Sequence, residues 1–194
     1  MKKFFALLLS AVLVLSLAAC GKNEGTVNVS GEGDISTSYK AEEDERILSF
    51  TASDIYGNEV SSDIFKDSKI TVVNIWGTFC SPCIYEMPFL GELSREYDKS
   101  QVQLLGVVSD SVDYFGEEDS NAVALAQEIA EETKADYTHI VPSMEVLEFL
   151  YDVTAVPTTF FLDSEGRVIG EAVVGAREKD AWKEIIDNLL EEAK

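Results

Sequence analysis

The sequence is poor in positive charge, with 15 Lys and Arg residues against 36 Asp and Glu residues and a formal net charge of −21. Because such an acidic surface repels nucleic-acid phosphates and anionic lipid headgroups, the composition argues against nucleic-acid binding. The chain has only one histidine and three cysteines, so few imidazole and thiolate ligands are available for a metal such as zinc. Hydrophobic residues make up 46% of the chain, which is normal for a globular domain with a packed core.

The N-terminal segment contains the longest apolar run. Residues 1–3 are a short basic start, and residues 4–17 are almost purely apolar but fewer than the about 20 that span a bilayer. Small residues follow where a signal peptidase cuts, and a cysteine directly after them resembles the bacterial lipobox. We therefore predict a lipoprotein signal peptide at residues 1–19 and lipid attachment at Cys20. The alternative is an ordinary signal peptide followed by a coincidental cysteine.

The remaining sequence divides into a tether and one domain. Residues 20–46 are polar and acidic and have too few apolar residues for a core, which predicts a lipidated N-terminus and a flexible tether. Residues 47–194 are expected to form a single domain. The tether and the strong negative charge favour a monomer, held at the membrane by its lipid rather than by basic residues.

The hydrophobic pattern of this domain predicts alternating strands and helices. The turn signal Gly57-Asn58 predicts a hairpin, and the predicted strands lie at residues 49–52, 59–61, 70–76, 103–108, 137–141, 158–162 and 167–173. The predicted helices lie at residues 83–98 with a kink at Pro88, from Asn121 as N-cap to 133, from Ser143 to 151, and around Trp182. This order predicts an α/β sandwich with a mixed sheet.

Two cysteines remain for the domain if Cys20 carries a lipid. Cys80 and Cys83 are separated by two residues, so a bond between them closes a very small loop and adds little stability. At the start of a helix, backbone N–H groups and the helix dipole would favour the thiolate form of Cys80, making it the nucleophile and Cys83 the resolving thiol. Half of a zinc site is the alternative, with His139 as the remaining candidate ligand, although a strand position near the surface is favoured for His139.

Two separated motifs resemble one known family. Residues 72–88, around Cys80 and Cys83, and residues 153–166, around Pro157, resemble the thioredoxin superfamily in its TlpA/ResA-like branch of extracytoplasmic lipoproteins and anchored proteins. The resemblance covers residues 50–190. It implies a thioredoxin-like three-layer sandwich: a central mixed sheet with an N-terminal β-hairpin and an inserted helix.

The resemblance also implies roles for individual residues. Pro157 would be a cis-proline beside the disulfide, the Val156 backbone would pair with a substrate strand, and Trp76 would shield the pair. Phe79 replaces a common tryptophan, which implies an altered substrate preference. The substrate-binding residues implied by the resemblance are Trp76, Phe79, Ser81, Pro82, Val156 and Pro157.

A second departure concerns the acid–base group. Many thioredoxins have a buried Asp six residues before the first cysteine, whereas this chain has Asn74, which cannot titrate. The TlpA/ResA-like branch carries a Glu after the second cysteine, and Glu86 matches it. Glu86 is therefore the predicted acid–base residue, with its pKa raised by partial burial; the alternative is an exposed helix glutamate.

The predicted function is a reductase that takes electrons from a membrane thiol carrier of the CcdA/DsbD type and passes them to an extracytoplasmic protein disulfide. By resemblance, methionine sulfoxide reductase and apocytochrome c are candidate substrates. The Cys80–Cys83 disulfide would be the redox group, with no other cofactor and no metal. The alternatives are a disulfide oxidase or isomerase, a peroxidase with a different cysteine arrangement, and a non-catalytic binding lipoprotein.

Overall fold

A computed structural model describes residues 46–192. The predicted signal peptide, Cys20 and nearly all of the predicted tether lie outside this range. Among the helices at 46–192, none is long and apolar enough to cross a membrane.

A single mixed sheet of seven strands forms the centre of the domain. In chain order, its strands are β1 Thr51–Asp54, β2 Glu59–Ser61, β3 Ile70–Trp76, β4 Val102–Val108, β5 Thr138–Val141, β6 Thr158–Asp163 and β7 Val173–Val174. Their spatial order is β2-β1-β5-β4-β3-β6-β7. β3, β4 and β5 are parallel, whereas β6 is antiparallel to β3 and β1 is antiparallel to β5. The predicted mixed sheet and N-terminal hairpin are confirmed.

Helices cover both faces of this sheet, which gives the predicted three layers. They are α1 Ser81–Glu96, α2 Ser120–Thr133, α3 Met144–Phe149 and α4 Lys179–Glu192. All seven residues of β3 are buried, and successive side chains point to opposite faces. Val73 and Ile75 therefore pack in the core cluster that contains Phe149 of α3. Val72 lies on the opposite face, in the cluster that contains Leu90 of α1 and Trp182 of α4.

The start of α2 differs from the prediction. Its N-cap is Asp119 rather than Asn121, because the Asp119 carboxylate accepts hydrogen bonds from the backbone N–H groups of Asn121 at 2.9 Å and Ala122 at 3.3 Å. Leu125, an apolar residue of this helix, is exposed. The buried face instead consists of Ala126, Ile129 and Ala130.

The predicted strand at residues 167–173 was also wrong. It is reduced to two isolated bridges, at Arg167 and Val168, and to β7, of which only Val173 lies in the predicted range. Gly170 between them has a φ of +64°, which interrupts the extended backbone. The Val168 N–H donates to the Arg46 carbonyl at 3.0 Å. The backbone at Arg46 therefore supplies a hydrogen-bonding partner for part of the predicted strand.

Candidate active site

The two domain cysteines form a disulfide at the start of α1. Cys80 is the N-cap of this helix, and its Sγ accepts a hydrogen bond from the Cys83 N–H at 3.2 Å. Cys80 retains 5% of its surface exposed, whereas Cys83 is fully buried. The helix begins at Ser81, two residues before the predicted start, since Pro82 is well suited to a first turn that lacks N–H partners. A partner can therefore reach the sulfur of Cys80 more readily than that of Cys83.

Three residues next to Cys80 are exposed. Phe79 is 71% exposed, and Ser81 and Pro82 also lie at the surface. Trp76, placed with them by the sequence analysis, has no exposed surface and packs in the cluster that contains both cysteines. A fully buried indole does not touch a protein substrate, so the assignment of Trp76 as a substrate-binding residue is corrected. Its shielding role stays a prediction.

The segment before β6 forms the opposite side of the site. The Val156–Pro157 peptide bond is cis, Pro157 is buried, and Val156 is half-buried against the cluster of both cysteines. An open cavity of about 550 Å³ lies beside this segment. Its lining is mostly apolar: Ile75, Phe79, Ser109, Leu147, Leu150, Val153, Thr154, Ala155 and Val156. The cavity thus begins at the residues flanking Cys80 and Pro157 and continues along α3.

Glu86 lies one turn after Cys83 on α1, and its side chain is completely buried. Its Oε1 accepts a hydrogen bond from Asn74 Nδ2 at 3.0 Å, and its Oε2 accepts from the Arg177 backbone N–H at 3.0 Å and Trp182 Nε1–H at 3.2 Å. Burial raises the pKa of Glu86 to about 7, against these hydrogen bonds and the Arg177 charge, which lower it. The side chain is therefore a buried carboxyl rather than the exposed helix glutamate of the alternative interpretation.

Asn74 lies on β3 beside Glu86. Its amide Nδ2 also donates to Thr159 Oγ1 at 3.0 Å, while its Oδ1 has no hydrogen-bond partner within residues 46–192. Tyr137 has a buried hydroxyl that likewise lacks a partner in that range. Burial, followed by the nearby Glu86 charge, raises the pKa of Tyr137. The amide and the phenol thus leave Glu86 as the titrating group of this cluster at neutral pH.

His139 is buried, not near the surface as predicted. Its Nδ1 accepts a hydrogen bond from Trp76 Nε1–H at 3.1 Å, and its Nε2 lies 2.8 Å from the Ala135 carbonyl, so Nε2 carries the proton. Burial lowers the pKa of His139 to about 4. Both ring nitrogens are engaged, which argues against the zinc alternative. No cluster of three or more His, Cys, Asp or Glu able to hold a metal occurs at 46–192.

Several residues of this site were missed by the sequence analysis. Thr159, Arg177 and Trp182 surround the Asn74–Glu86 pair. They lie 85, 91 and 96 residues, respectively, from their hydrogen-bonding partners in this pair. No local motif marks them. The cis-proline motif, one residue before β6, is the nearest signal for Thr159, whereas the apolar face of α4 indicated burial of Trp182 but not its hydrogen bond.

Comparisons with known proteins agree with this geometry. Residues 44–170 match the AhpC/TSA family. The thiol–disulfide oxidoreductase ResA of Bacillus cereus is 27% identical over 158 residues, which cover 81% of this chain and 84% of that protein. Similar relatives include the ResA of Geobacillus thermodenitrificans, 29% identical over 72% of this chain and 74% of that protein.

Solved structures share the fold. A thioredoxin-family thiol:disulfide interchange protein from Chlorobium tepidum has a TM-score of 0.62 at 22% identity, covering 78% of this chain and 99% of that one. The pneumococcal exposed lipoprotein thioredoxin from Streptococcus pneumoniae has a TM-score of 0.54 at 26% identity, covering 72% and 98% of the two chains. The predicted thioredoxin-like sandwich is thereby confirmed. The chain belongs to the AhpC/TSA family and is a thiol–disulfide oxidoreductase of the thioredoxin fold, with Cys80 and Cys83 in the spacing of a redox pair.

Proposed function

We propose that the protein is a membrane-tethered extracytoplasmic reductase, which passes electrons from a membrane thiol carrier to protein disulfides. The observation that carries this proposal is the asymmetry of the pair: Cys80 is the N-cap of α1 and partly exposed, and Cys83 is buried behind it. In the reduced protein, the Cys83 N–H and the helix dipole stabilise a Cys80 thiolate. Cys80 is the nucleophile and Cys83 the resolving thiol.

The reaction proceeds by two exchanges that balance electrons and protons. The Cys80 thiolate attacks one sulfur of the substrate disulfide, forms a mixed disulfide, and releases the other substrate sulfur as a thiolate. The Cys83 sulfur then attacks Cys80, and the second substrate sulfur leaves. The substrate gains two electrons, and the protein is left with the Cys80–Cys83 disulfide and needs no other cofactor.

Glu86 is the proposed acid–base group for the second exchange. Residues three apart on a helix share a face, so Glu86 lies on the same side of α1 as Cys83. With a pKa of about 7, its carboxylate is available near neutral pH to take the proton of the Cys83 thiol.

The sequence around the pair supports the proposed direction of electron flow. No Lys, Arg or His lies between Gly77 and Ser94, so no nearby cation on this part of the chain strongly stabilises the thiolate, as a disulfide-introducing enzyme requires. Pro82 also favours reduction by analogy, because the same position is proline in reducing thioredoxins. The electron donor is a membrane thiol carrier of the CcdA/DsbD type, and methionine sulfoxide reductase and apocytochrome c are candidate substrates.

Attachment to the membrane is proposed through Cys20. The lipobox-like sequence supports it, and the similar pneumococcal protein is described as an exposed lipoprotein. Replacing Cys20 with Ala is expected to release the protein from the membrane fraction and to remove the mass of a diacylglyceryl group. Retention of Cys20→Ala in the membrane fraction would contradict the anchor.

The exchange mechanism is tested with the full chain and a disulfide-bonded protein substrate. Cys83→Ser should accumulate a mixed disulfide through Cys80, detected by mass under non-reducing conditions, whereas Cys80→Ser should form none. The reduced wild-type protein should reduce the substrate faster than its oxidised form oxidises the reduced substrate. The opposite ratio would assign disulfide introduction, and no mixed disulfide with any tested substrate would contradict the redox function.

A further inference from the structure

The loop between β4 and α2 exposes two adjacent aromatic residues. Tyr114 is 90% exposed and Phe115 is 77% exposed, and their rings contact each other edge to face at 5.5 Å between centroids. Single exposed apolar side chains are ordinary, but aromatic pairs held in solvent are typical of interaction surfaces. The active-site chemistry makes no use of either ring.

Hydrogen bonds to Asp113 hold this loop in a defined shape. Its Oδ1 accepts from the backbone N–H groups of Phe115 at 2.8 Å and Glu117 at 2.9 Å. The Asp113 N–H donates to the Glu117 carbonyl at 2.9 Å, and the turn is completed by Gly116, which has a φ of +81°. The two rings are thus presented by an ordered turn, which reduces the entropy lost when a partner binds.

The loop is joined to the active site on one side and to α3 on the other. The backbone N–H of Thr78, two residues before Cys80, donates to Asp110 Oδ1 at 3.0 Å. At the other side, Gly116 lies so close to α3 that a Cβ added there would be 2.9 Å from Met144 Sδ. Met144 is itself exposed. The aromatic loop therefore adjoins the start of α3, where Met144 precedes the cavity residue Leu147 by three positions.

Negative charge predominates in the segments that form this region. Residues 100–133 and 135–166 contain no Lys or Arg, and the one histidine among them is buried. The exposed acidic residues here include Glu117, Glu118, Glu145, Glu148 and Asp152. Arg46 packs on Phe149 at the far end of α3, so the acidic border is concentrated around the aromatic loop and the start of α3. An apolar surface bordered mainly by acidic side chains is complementary to an apolar segment bordered by basic ones.

We propose that this surface binds a polypeptide segment of the substrate protein. The surface consists of the apolar residues Phe79, Tyr114, Phe115, Met144, Leu147 and Leu150 and of the acidic side chains that border them. The segment carries apolar side chains flanked by Lys or Arg and lies next to the substrate disulfide. This inference rests on the proposed function, because Cys80 at one end of the surface is the group that would attack that disulfide. The surface selects among substrates and takes no part in the exchange itself.

The test uses two peptides, each closed by one disulfide and identical except that Lys flanks the apolar residues in one and Glu in the other. The full-length chain is compared with the double variant Tyr114→Ser, Phe115→Ser, and with Tyr56→Ser, an exposed tyrosine on the β1–β2 turn, as the control. The kcat/KM for the Lys peptide should fall about tenfold in the double variant. The rate with hydroxyethyl disulfide, a small disulfide, is the reference. The ratio of the Lys-peptide rate to this reference rate should also fall about tenfold in the double variant.

A charge variant provides an independent measurement. Glu117→Gln, Glu148→Gln should reduce the preference for the Lys peptide over the Glu peptide, and added salt should reduce it in the wild type. An unchanged rate ratio and an unchanged peptide preference in both variants would overturn the inference while leaving the proposed function intact. If the wild type shows no exchange with hydroxyethyl disulfide, the result would instead contradict the proposed function. Wild-type self-association that the aromatic double variant abolishes would assign the surface to a second copy and overturn the inference.

Discussion

Asn74 Nδ2 donates a hydrogen bond to Glu86 Oε1 at 3.0 Å, and both side chains are completely buried between β3 and α1. The pairing joins an amide that cannot titrate to a carboxyl whose pKa is raised to about 7 by burial. Three hydrogen bonds and the Arg177 charge lower the pKa of Glu86, but desolvation, which raises it, has the largest effect. The predictions below follow from this pair and its neighbours.

Removing the carboxyl should change how exchange depends on pH. In the wild type, the rate at which Cys83 resolves the mixed disulfide should rise as pH increases through about 7, because Glu86 becomes able to accept a proton. In Glu86→Gln, this rise should disappear and the rate should fall about 100-fold. Rapid acid quench followed by thiol alkylation measures the step. Glu92→Gln, an exposed position on the same helix, is the control, and equal profiles for both variants would refute the role of Glu86.

Glu86 and His139 should give the folding stability opposite pH dependences. The folded protein keeps the Glu86 proton up to pH about 7, whereas the unfolded chain loses it near 4.5, so this contribution falls as pH rises between these values. Folded His139 takes its proton only near pH 4, against 6.5 when unfolded, so its contribution falls as pH decreases through that window. Each change amounts to about 3 kcal/mol, and the two nearly cancel in the wild type.

Single variants should uncover each slope. Relative to the wild type, Glu86→Gln should gain stability as pH rises from 4.5 to 7, and His139→Gln should lose stability as pH rises from 4 to 6.5. Urea unfolding at several pH values measures the free energy of unfolding. Differences from the wild type that stay constant across this window would contradict the assigned protonation states.

Converting Asn74 to Asp should place two carboxyls against each other. One of them would then be forced to stay protonated, and the pair would titrate jointly with a higher upper pKa. Asn74→Asp should therefore lose more stability between pH 5 and pH 8 than Asn74→Ala, which removes the amide without adding charge. Urea unfolding at the two pH values checks this, and equal losses for the two variants would argue against close coupling.

Gly106 should tolerate no side chain. A Cβ added there would lie 2.1 Å from His139 Nδ1. The His139 ring is held by the Trp76 hydrogen bond and packs in a tilted arrangement against Tyr137, with 4.4 Å between ring centroids. Gly106→Ala should cost about 3 kcal/mol of folding stability or more. Gly57→Ala, with a φ of +84° but open space around it, should cost only about 1 kcal/mol. Equal denaturant midpoints for the two variants would contradict the close packing of His139.

Much of the fold was predictable because its strongest signals are local. Residues 70–76 are an apolar, β-branched run and form β3 without a change of boundary. The motif around Cys80 and Cys83 predicted the helix start to within two residues, and the family resemblance indicated the carboxyl of Glu86. The N-cap of α2 was predicted at Asn121 because Asp and Asn are both good N-cap residues. In the structure Asp119, two residues earlier, is the N-cap. The strand predicted at residues 167–173 is interrupted at Gly170 by its positive φ, and Val168 pairs with Arg46, which is distant in sequence.

The buried polar partners could not be read from the sequence for a different reason. Arg177 contributes only its backbone N–H to Glu86, a contact that its side-chain type does not reveal. His139 is polar, and its burial depends on Trp76 and on the missing side chain of Gly106. Such contacts arise when neighbouring elements pack, and the spacing of residues within one element carries no information about them.

The most direct test of the central claim is the equilibrium reduction potential of the Cys80–Cys83 pair, measured in the full-length chain by equilibration with thiol–disulfide buffers and alkylation of the free thiols. The account predicts a reversible two-electron couple near or below about −230 mV, the range of reducing thioredoxin-like proteins. A value near about −120 mV would contradict the proposed reductase and assign disulfide introduction instead. The absence of any reversible couple would contradict the redox function as a whole.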